Sequence, residues 1–198
     1  MIQTLVTFLL RAALVQSTLT DPLSWDDSCS PDDPALKIHS LSVPGDPIEI
    51  SNDKPITVSF DSTVNTEIGS DVSVNLKIKK KEAFIWVEIP CVDKFGSCSY
   101  NLCDMVTKQN STLCPILQKM GKQCSCPFKT GDYKLDNYPF KVDTSKIPGP
   151  IKSFGDGQFK IEATLTDGDG DSIFCVDIKA SIKIDNKKGV FIDFDGSF

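Results

Sequence analysis

Cysteines are the residues of this chain with the most evident chemistry, and six of the eight fall between Cys91 and Cys126. The stretch "GKQCSCPF" places Cys124 one residue before Cys126 and follows the pair directly with a proline. Such cysteines can bind a metal, exchange electrons as a redox pair, or form structural disulfides. Zinc sites and thioredoxin-like pairs use CxxC spacing, which the chain lacks, and His39 is the only histidine. We therefore predict four structural disulfides, and spacing alone leaves about 105 pairings open.

Other candidate catalytic and metal-binding residues are weakly supported. His39 alternates within the strand-like segment "ALKIHSLSV", and no serine stands in the GxSxG setting of a presented nucleophile. The acidic run "DGDGDS" begins like a calcium loop, but Ser172 replaces the glycine expected at its sixth position and Ile178 the glutamate at its twelfth. We predict no catalytic residue, no metal site and no cofactor, and we interpret residues 167–171 as a hairpin turn.

The beginning of the chain predicts export from the cytoplasm. Apolar residues dominate from Leu5 onward, and small or polar residues follow near Ser17, as in a secretory signal peptide. The absence of a basic leading segment and the presence of Arg11 leave a buried N-terminal helix as the alternative. We predict a signal peptide over residues 1–17 and one domain over residues 18–198, secreted or in the lumen of an organelle; the family resemblance given below makes that organelle the lysosome. Oxidation of the cysteines agrees with that location.

The charge balance is acidic and disfavours one class of partner. The chain has 21 Lys and Arg residues against 27 Asp and Glu residues, a formal net charge of −6 at pH 7. Nucleic-acid binding depends on neutralising phosphates with Lys and Arg, so we predict no nucleic-acid partner. The net charge also predicts repulsion from anionic membranes at neutral pH, which fades in an acidic compartment as carboxylates become protonated.

Alternating apolar and polar residues predict an all-β domain. The segments "ITVSF", "DVSVNLKIK", "FKIEATL" and "FCVDIKASIKI" each place apolar residues on one face, which is typical of antiparallel sheets covering a core. The turn-rich segments "PGDP", "SNDKP" and "DGDGD" separate them. The pattern predicts an antiparallel β-sandwich or β-cup. Alternation alone does not decide whether four of the inward residues pack in the core or line a cavity: Val74, Leu76, Ile161 and Ile178.

The cysteine-rich middle of the chain has a different pattern. Alternation is lost there, and "LCDMV" and "CPILQKMG" predict short helical turns, with Gly121 as a helix stop. Such a segment buries little surface by itself, so disulfides must hold it in shape. The sequon "NST" predicts a glycosylated, exposed loop at Asn110.

Two segments carry apolar residues that an ordinary sandwich does not need. "EAFIWVEIPC" has four consecutive apolar residues, although a half-buried strand needs them on one face only. "KIPGPIKSFG" sets apolar residues among prolines and glycines, which keep them from a sheet core. We predict that these residues form a rim that meets lipid or ligand, with ordinary loop packing as the alternative: Phe84, Ile85, Trp86, Val87, Ile147, Ile151 and Phe154.

The cysteine series resembles a known family. The segments "WVEIPCVDKFGSCSYNLCDMV", "LCPILQKMGKQCSCPFKTGDYKL" and "CVDIKASIK", preceded by "SWDDSC", resemble the MD-2-related lipid-recognition (ML) family, and in particular its sphingolipid activators. The resemblance spans about residues 24–184, which makes residues 185–198 a C-terminal extension. It implies a β-cup of two antiparallel sheets that encloses an apolar cavity for acyl chains. It also implies four disulfides: Cys29–Cys175, Cys91–Cys98, Cys103–Cys126 and Cys114–Cys124.

The resemblance implies a non-enzymatic function. Such carriers lift a glycosphingolipid from a membrane, which they touch transiently, and present its head group to a lysosomal hydrolase of the β-hexosaminidase type. Extraction needs a cavity because each buried methylene is worth about 0.8 kcal/mol. One departure concerns the second rim segment, where Ile147-Pro148 is followed by Gly149 rather than by the Trp-Leu pair of the family. A broader phospholipid carrier, or a lipid-dependent inhibitor or immune ligand, is therefore the alternative.

Overall fold

The computed structural model describes residues 23–184, apart from Gln109 and Ser153. The predicted signal peptide and the C-terminal extension lie outside the described residues. Two sheets, mostly antiparallel, form the body of the protein, and three short helices and a 3₁₀ turn connect them. This architecture confirms the predicted all-β cup.

The larger sheet contains seven strands, in which β10 and β9 are central and β5 lies beside β9. The strands β1 and β3 pair with the free side of β10, while β6 and β7 pair with the free side of β5. Only the β3–β10 pair is parallel. The seven strands are β1 (Leu23–Asp26), β3 (Ile48–Ile50), β5 (Ser73–Glu82), β6 (Ile85–Glu88), β7 (Ser99–Asn101), β9 (Gly157–Thr166) and β10 (Ser172–Ile184).

The smaller sheet contains three antiparallel strands and covers the apolar face of the larger one. Its central strand, β4, pairs with the other two along most of its length. The three strands are β2 (Leu36–Ser42), β4 (Ile56–Val64) and β8 (Gly131–Phe140). The four alternating segments of the sequence analysis lie in β4, β5, β9 and β10, so those predictions are confirmed.

The cysteine-rich segment forms helices that are longer than the turns predicted from sequence. Helix α1 spans Leu102–Lys108 and α2 spans Asn110–Lys119. Gly121 ends α2, as predicted: it has φ +71°, and the N–H of Lys122 donates to the carbonyl of Leu117 at 2.9 Å. This hydrogen bond closes a Schellman motif, which favours glycine because it needs a left-handed residue. The short helix α3 spans Gly149–Lys152.

The disulfides pair as the resemblance implies. Cys103–Cys126 and Cys114–Cys124 attach α1 and α2 to the same corner, which explains the one-residue spacing of Cys124 and Cys126. Cys91–Cys98 closes a short loop beside β6. Cys29–Cys175 joins the segment after β1 to the first part of β10, across 146 positions of the sequence.

No helix in the described part of the chain is long and apolar enough to cross a membrane.

Residues 167–171 form the turn between β9 and β10. The Asp167 carboxylate accepts hydrogen bonds from the backbone N–H groups of Asp169 and Asp171, at 3.1 and 2.9 Å. The acidic run is thus a hairpin turn, as the sequence predicts. The Asp167 carboxylate thus stabilises the turn through local hydrogen bonds to the backbone.

Candidate functional site

An apolar cavity of about 380 Å³ lies between the two sheets and the cysteine-rich helices. This volume falls within the range of about 300–1,000 Å³ that is typical of ligand pockets. The strands of both sheets supply most of its wall: Leu36, Phe60, Ser62, Val64, Val74, Tyr133, Ala163, Leu165 and Phe174. Apolar cavities of even about 150 Å³ stay dry and accept apolar guests, so this cavity favours hydrocarbon over water.

The helices complete the wall, which the sequence pattern did not predict. Leu102 and Met105 face the cavity from α1, and Leu113 and Leu117 face it from α2. Side chains three or four residues apart lie on one face of a helix, so each helix presents a pair. The apolar spacing of Leu113 and Leu117 was the available signal.

Two polar side chains in the wall direct their hydroxyl groups away from the cavity. The Tyr133 hydroxyl donates to the carbonyl of Lys129 at 2.9 Å, and the Ser62 hydroxyl contacts the carbonyl of Tyr133 at 3.5 Å. Burial raises the pKa of Tyr133 above its ordinary value, because the phenolate would lose hydration. Both hydroxyl protons are therefore engaged by backbone carbonyls, and the otherwise apolar wall is suited to an acyl chain.

A second apolar cavity, of about 270 Å³, lies farther along the inner face of the large sheet, toward the β5–β6 hairpin. Ile147 and Phe154 line it, together with Ile78, Phe159 and Ile182. The second rim segment predicted from sequence therefore borders a cavity. Ile151 lies in α3, but its side chain is outside the described residues.

Only one of the four inward residues, Val74, lines the larger cavity. Leu76, Ile161 and Ile178 lie on the same inner face of the large sheet but are not part of the wall of either cavity. Ile178 pairs with Trp25 across the sheet and packs against the apolar clusters on both sides. Trp25 and Leu41 also pack against both clusters.

The four consecutive apolar residues of the first rim segment point in different directions. Phe84 is 97% exposed at the tip of the β5–β6 hairpin, and Ile85 is also exposed. Trp86 lies opposite Lys81 on the outer face of the large sheet and is 40% exposed. Val87 lies opposite Lys80 on the inner face. Alternation along β6 thus separates Trp86 from the interior, and the tip is the exposed apolar feature.

A charged pair ends the apolar inner face near this hairpin. The Lys80 side chain is 11% exposed, and its Nζ lies 2.6 Å from Oε1 of Glu82. Its stem passes Gly157, where a Cβ would come within 2.9 Å of the lysine Cε. A glycine at this position, with φ +149°, allows the stem to lie against the backbone.

His39 lies on an exposed face of the small sheet. Its Nε2 lies 2.9 Å from the hydroxyl of Thr63, and that hydroxyl donates to Asp132 at 2.9 Å. The Thr63 hydroxyl therefore bridges His39 and Asp132. The three side chains lie on an exposed face of the small sheet, and none of them lines the larger cavity. In the described part of the chain, no three His, Cys, Asp or Glu residues are grouped to hold a metal ion.

The sequon lies at the start of α2 rather than in a loop, because Asn110 is the first residue of that helix. Its side chain is outside the described residues. Glycosylation at this position stays a prediction.

A capped 3₁₀ turn positions the second rim segment. Asp143 accepts hydrogen bonds from the backbone N–H and the hydroxyl of Ser145, and Thr144 is anchored by its N–H to Asn52 at 2.8 Å. The Ser145 hydroxyl is the main cause of a lowered pKa at Asp143. This hydrogen bond stabilises the charged carboxylate in the turn that leads into Ile147.

We expect Ser145→Ala to raise the pKa of Asp143 toward its ordinary value of 3.8. A depressed folded-state pKa adds stability above the unfolded-state value, and this stability is lost as the pH falls through the folded-state pKa. The variant should therefore lose stability at neutral pH and converge with the wild type at the acid end. NMR titration of the Asp143 carboxyl checks the direction. An unchanged pKa would show that the backbone hydrogen bond alone sets it.

Comparison with known proteins identifies the class of this two-sheet, disulfide-linked cup. Residues 24–182 match the model of the ML domain, and this chain belongs to that family. It is 35% identical over 164 residues to the mouse ganglioside GM2 activator, covering 81% of each chain. It is also 35% identical over 181 residues to the ganglioside GM2 activator of Macaca fascicularis, covering 88% of this chain and 92% of the relative.

Two solved structures overlap more loosely with this chain. A Niemann-Pick type C2 protein from the Japanese carpenter ant is 16% identical, with a TM-score of 0.40, over 81% of this chain and 99% of the other. Chicken MD-1, solved in complex with lipid IVa, is 14% identical, with a TM-score of 0.32, over 80% and 88% of the two chains. Overlaps at these TM-scores are too loose to support a functional argument.

Proposed function

We propose that this protein is a non-enzymatic lipid carrier that extracts a glycosphingolipid from membranes and presents it to a lysosomal glycosidase. The observation that carries the proposal is the apolar cavity of about 380 Å³ between the sheets. A hydrocarbon chain gains about 0.8 kcal/mol for each methylene removed from water, so such a cavity can compensate for leaving the bilayer. The relatedness to ganglioside GM2 activators supports a ganglioside-like ligand.

A two-tailed lipid needs more room than one cavity offers. The second cavity supplies about 270 Å³, and the side chains of Trp25, Leu41 and Ile178 pack against both apolar clusters of the interior. In the proposed complex these side chains rotate aside, so that acyl chains extend from the hairpin end into the larger cavity. The polar head group then stays near Lys80 and Glu82, at the end of the apolar face.

The direct test is the content of the purified protein. Native mass spectrometry should detect a co-purified lipid, and the protein should transfer a fluorescent glycosphingolipid between vesicles. Addition of the protein to β-hexosaminidase and ganglioside vesicles should increase sugar release. Transfer without increased release would contradict presentation to that hydrolase and favour a broader carrier of phospholipids or other lipids. Absence of both lipid and transfer would contradict the carrier function.

The exposed hairpin tip should control how fast lipid is extracted. Burying a phenylalanine is worth about 1.5–3 kcal/mol, so we expect Phe84→Ser to slow extraction from vesicles roughly tenfold or more. Trp86→Ala should slow it as well, because tryptophan favours the membrane interface. Both variants should still take up lipid from detergent solution, since neither Phe84 nor Trp86 lines the two cavities.

The matched control is Asp169→Ser, which changes an exposed residue in the turn of the β9–β10 hairpin. Stopped-flow transfer of a fluorescent lipid measures the rates. If the wild type and Phe84→Ser extract lipid at the same rate, the hairpin tip does not contact the membrane during extraction. Loss of uptake from detergent would point instead to a folding defect.

The proposal extends to the compartment. A chain with four disulfides and kinship to ganglioside GM2 activators is suited to an oxidising route and to the lysosomal lumen or the extracellular space. Secretion into the medium of expressing cells, with the N-terminus of the mature protein near Ser17, tests both the route and the predicted cleavage.

A further inference from the structure

The outer face of the large sheet carries a row of like charges that only the strand register creates. Lys79 lies opposite Lys160, and Lys160 lies opposite Lys179, so three neighbouring strands present lysines side by side. Directly opposed residues have Cβ atoms about 5 Å apart, and like charges there destabilise a sheet. Lys81 lies on the same face, two residues nearer the hairpin tip. We call these four residues the lysine row.

The lysine row is only partly neutralised. Nζ of Lys160 lies 3.1 Å from Oδ2 of Asp177. Within the described part of the chain, Lys79 and Lys81 form no ion pair. Glu88 lies opposite Lys79 at the edge of the sheet. The patch therefore keeps a positive charge in a chain whose formal net charge is −6.

Charges of opposite sign are separated along the strands. Glu162, Asp177 and Asp26 lie opposite one another in the next row, two residues farther from the hairpin than the lysines. Two residues of a strand span about 7 Å, so the positive charge faces the hairpin end and the negative charge the other. Three lysines compensate this acidic row in part: Lys77 pairs with Glu162 at 3.2 Å, Lys160 pairs with Asp177, and the charge of Lys179 contributes to a lowered pKa at Asp26. The separation gives the sheet a preferred orientation near an anionic surface.

Exposed aromatic residues adjoin the lysine row. Trp86 lies opposite Lys81 and shares a surface depression of about 160 Å³ with Lys179 and Gln158. Phe84 extends from the same hairpin into solvent. Lysine and tryptophan beside an apolar tip match the layers of a bilayer, with phosphates outermost, then the interface, then the acyl chains. A soluble polyanion would satisfy the lysines but would leave Phe84 without a partner.

We propose that the lysine row and the β5–β6 hairpin together bind the surface of a bilayer that contains anionic lipids. The inference rests on the proposed carrier function, because it defines which membrane the carrier meets and in which orientation. The net charge predicts repulsion from anionic membranes, but the lysine row places positive residues at the contact, so attraction is expected there. Each lysine near an anionic surface strengthens binding about fivefold.

The test compares the full chain with the double variant Lys79→Gln/Lys81→Gln on vesicles of two compositions, phosphatidylcholine alone and phosphatidylcholine with phosphatidylserine. We expect the wild type to prefer the phosphatidylserine vesicles and to lose the preference as salt rises. The double variant should bind those vesicles about 30-fold less tightly and bind phosphatidylcholine vesicles as the wild type does. Its thermal stability should be unchanged or higher, because a lysine–lysine repulsion is removed.

The matched control is Lys37→Gln/Lys119→Gln, which removes the same charge from exposed positions outside the large sheet. It should keep the preference for phosphatidylserine vesicles. If both double variants lose binding to these vesicles equally, net charge alone explains the binding and the proposal is overturned. A wild type that binds both vesicles equally, or that binds heparin but not phosphatidylserine vesicles, would also overturn it. Uptake of lipid from detergent is measured in parallel: intact uptake with no vesicle preference contradicts this inference alone, whereas absent uptake contradicts the carrier function.

Discussion

Ala163→Trp should weaken lipid binding roughly 200-fold, because an indole that displaces about four methylenes of the ligand removes about 3 kcal/mol of binding energy. Ala163 lies on the inner face of β9 and lines the larger cavity. The cavity has room for the added rings, so the variant should fold. Isothermal titration with a short-chain glycosphingolipid measures the affinity, and thermal unfolding checks the fold.

The control for this substitution lies one residue away. Glu162→Trp places the same indole on the outer face of the same strand, where it removes an exposed ion pair with Lys77 that is worth less than about 1 kcal/mol. Glu162→Trp should bind lipid as the wild type does. Unchanged binding by Ala163→Trp would locate the ligand elsewhere and contradict the proposed function.

Removing the Cys29–Cys175 disulfide should cause the largest loss of stability. The bond closes a loop of 146 positions, and in the chain-entropy model the double substitution by alanine lowers the free energy of unfolding by about 5 kcal/mol. A domain of this size is stable by only about 5–15 kcal/mol, so the variant should be partly unfolded at body temperature. In this model the disulfide restricts the unfolded chain, so its removal raises the conformational entropy of the unfolded state.

The Cys91–Cys98 disulfide provides the comparison. It closes a loop of only 7 positions, for which the same model gives about 2.5 kcal/mol. In urea unfolding, with the remaining disulfides intact, the variant without Cys29–Cys175 should therefore have a lower midpoint than the variant without Cys91–Cys98. Equal losses would show that local packing, such as the hydrogen bonds between Ser30 and Cys175 at 2.7 and 2.8 Å, outweighs loop length.

The main elements of the fold could be predicted because alternation is a local signal. The three long strands of the large sheet, β5, β9 and β10, each show a period of two over eight or more residues, and a sheet with one buried face must show it. The same signal separated inner from outer residues in β5, β9 and β10. It could not separate the wall of a cavity from a filled core, because Val74 and Leu76 are equivalent in pattern and differ only in what lies opposite them.

The candidate site was predicted in part. The exposed tip at Phe84 and the second rim segment at Ile147 were visible as apolar residues where a sandwich needs none. The helical wall was not predicted, because its residues, among them Met105 and Leu117, reach the cavity only after disulfides fold the segment onto the sheets. The outward direction of Trp86 was missed for a related reason: four consecutive apolar residues hide the alternation.

The sequence by itself determined the strands, the oxidised cysteines and the kinship with the ML family, because these depend on local pattern and on the order of residue types. Only the tertiary structure decided the volume between the sheets and the charge of the outer face. Lys79, Lys160 and Lys179 belong to three separate strand segments, and their net-acidic chain gives no sign that they meet. Strand register brings them to within a few ångströms, and register follows from the packing of the whole sheet.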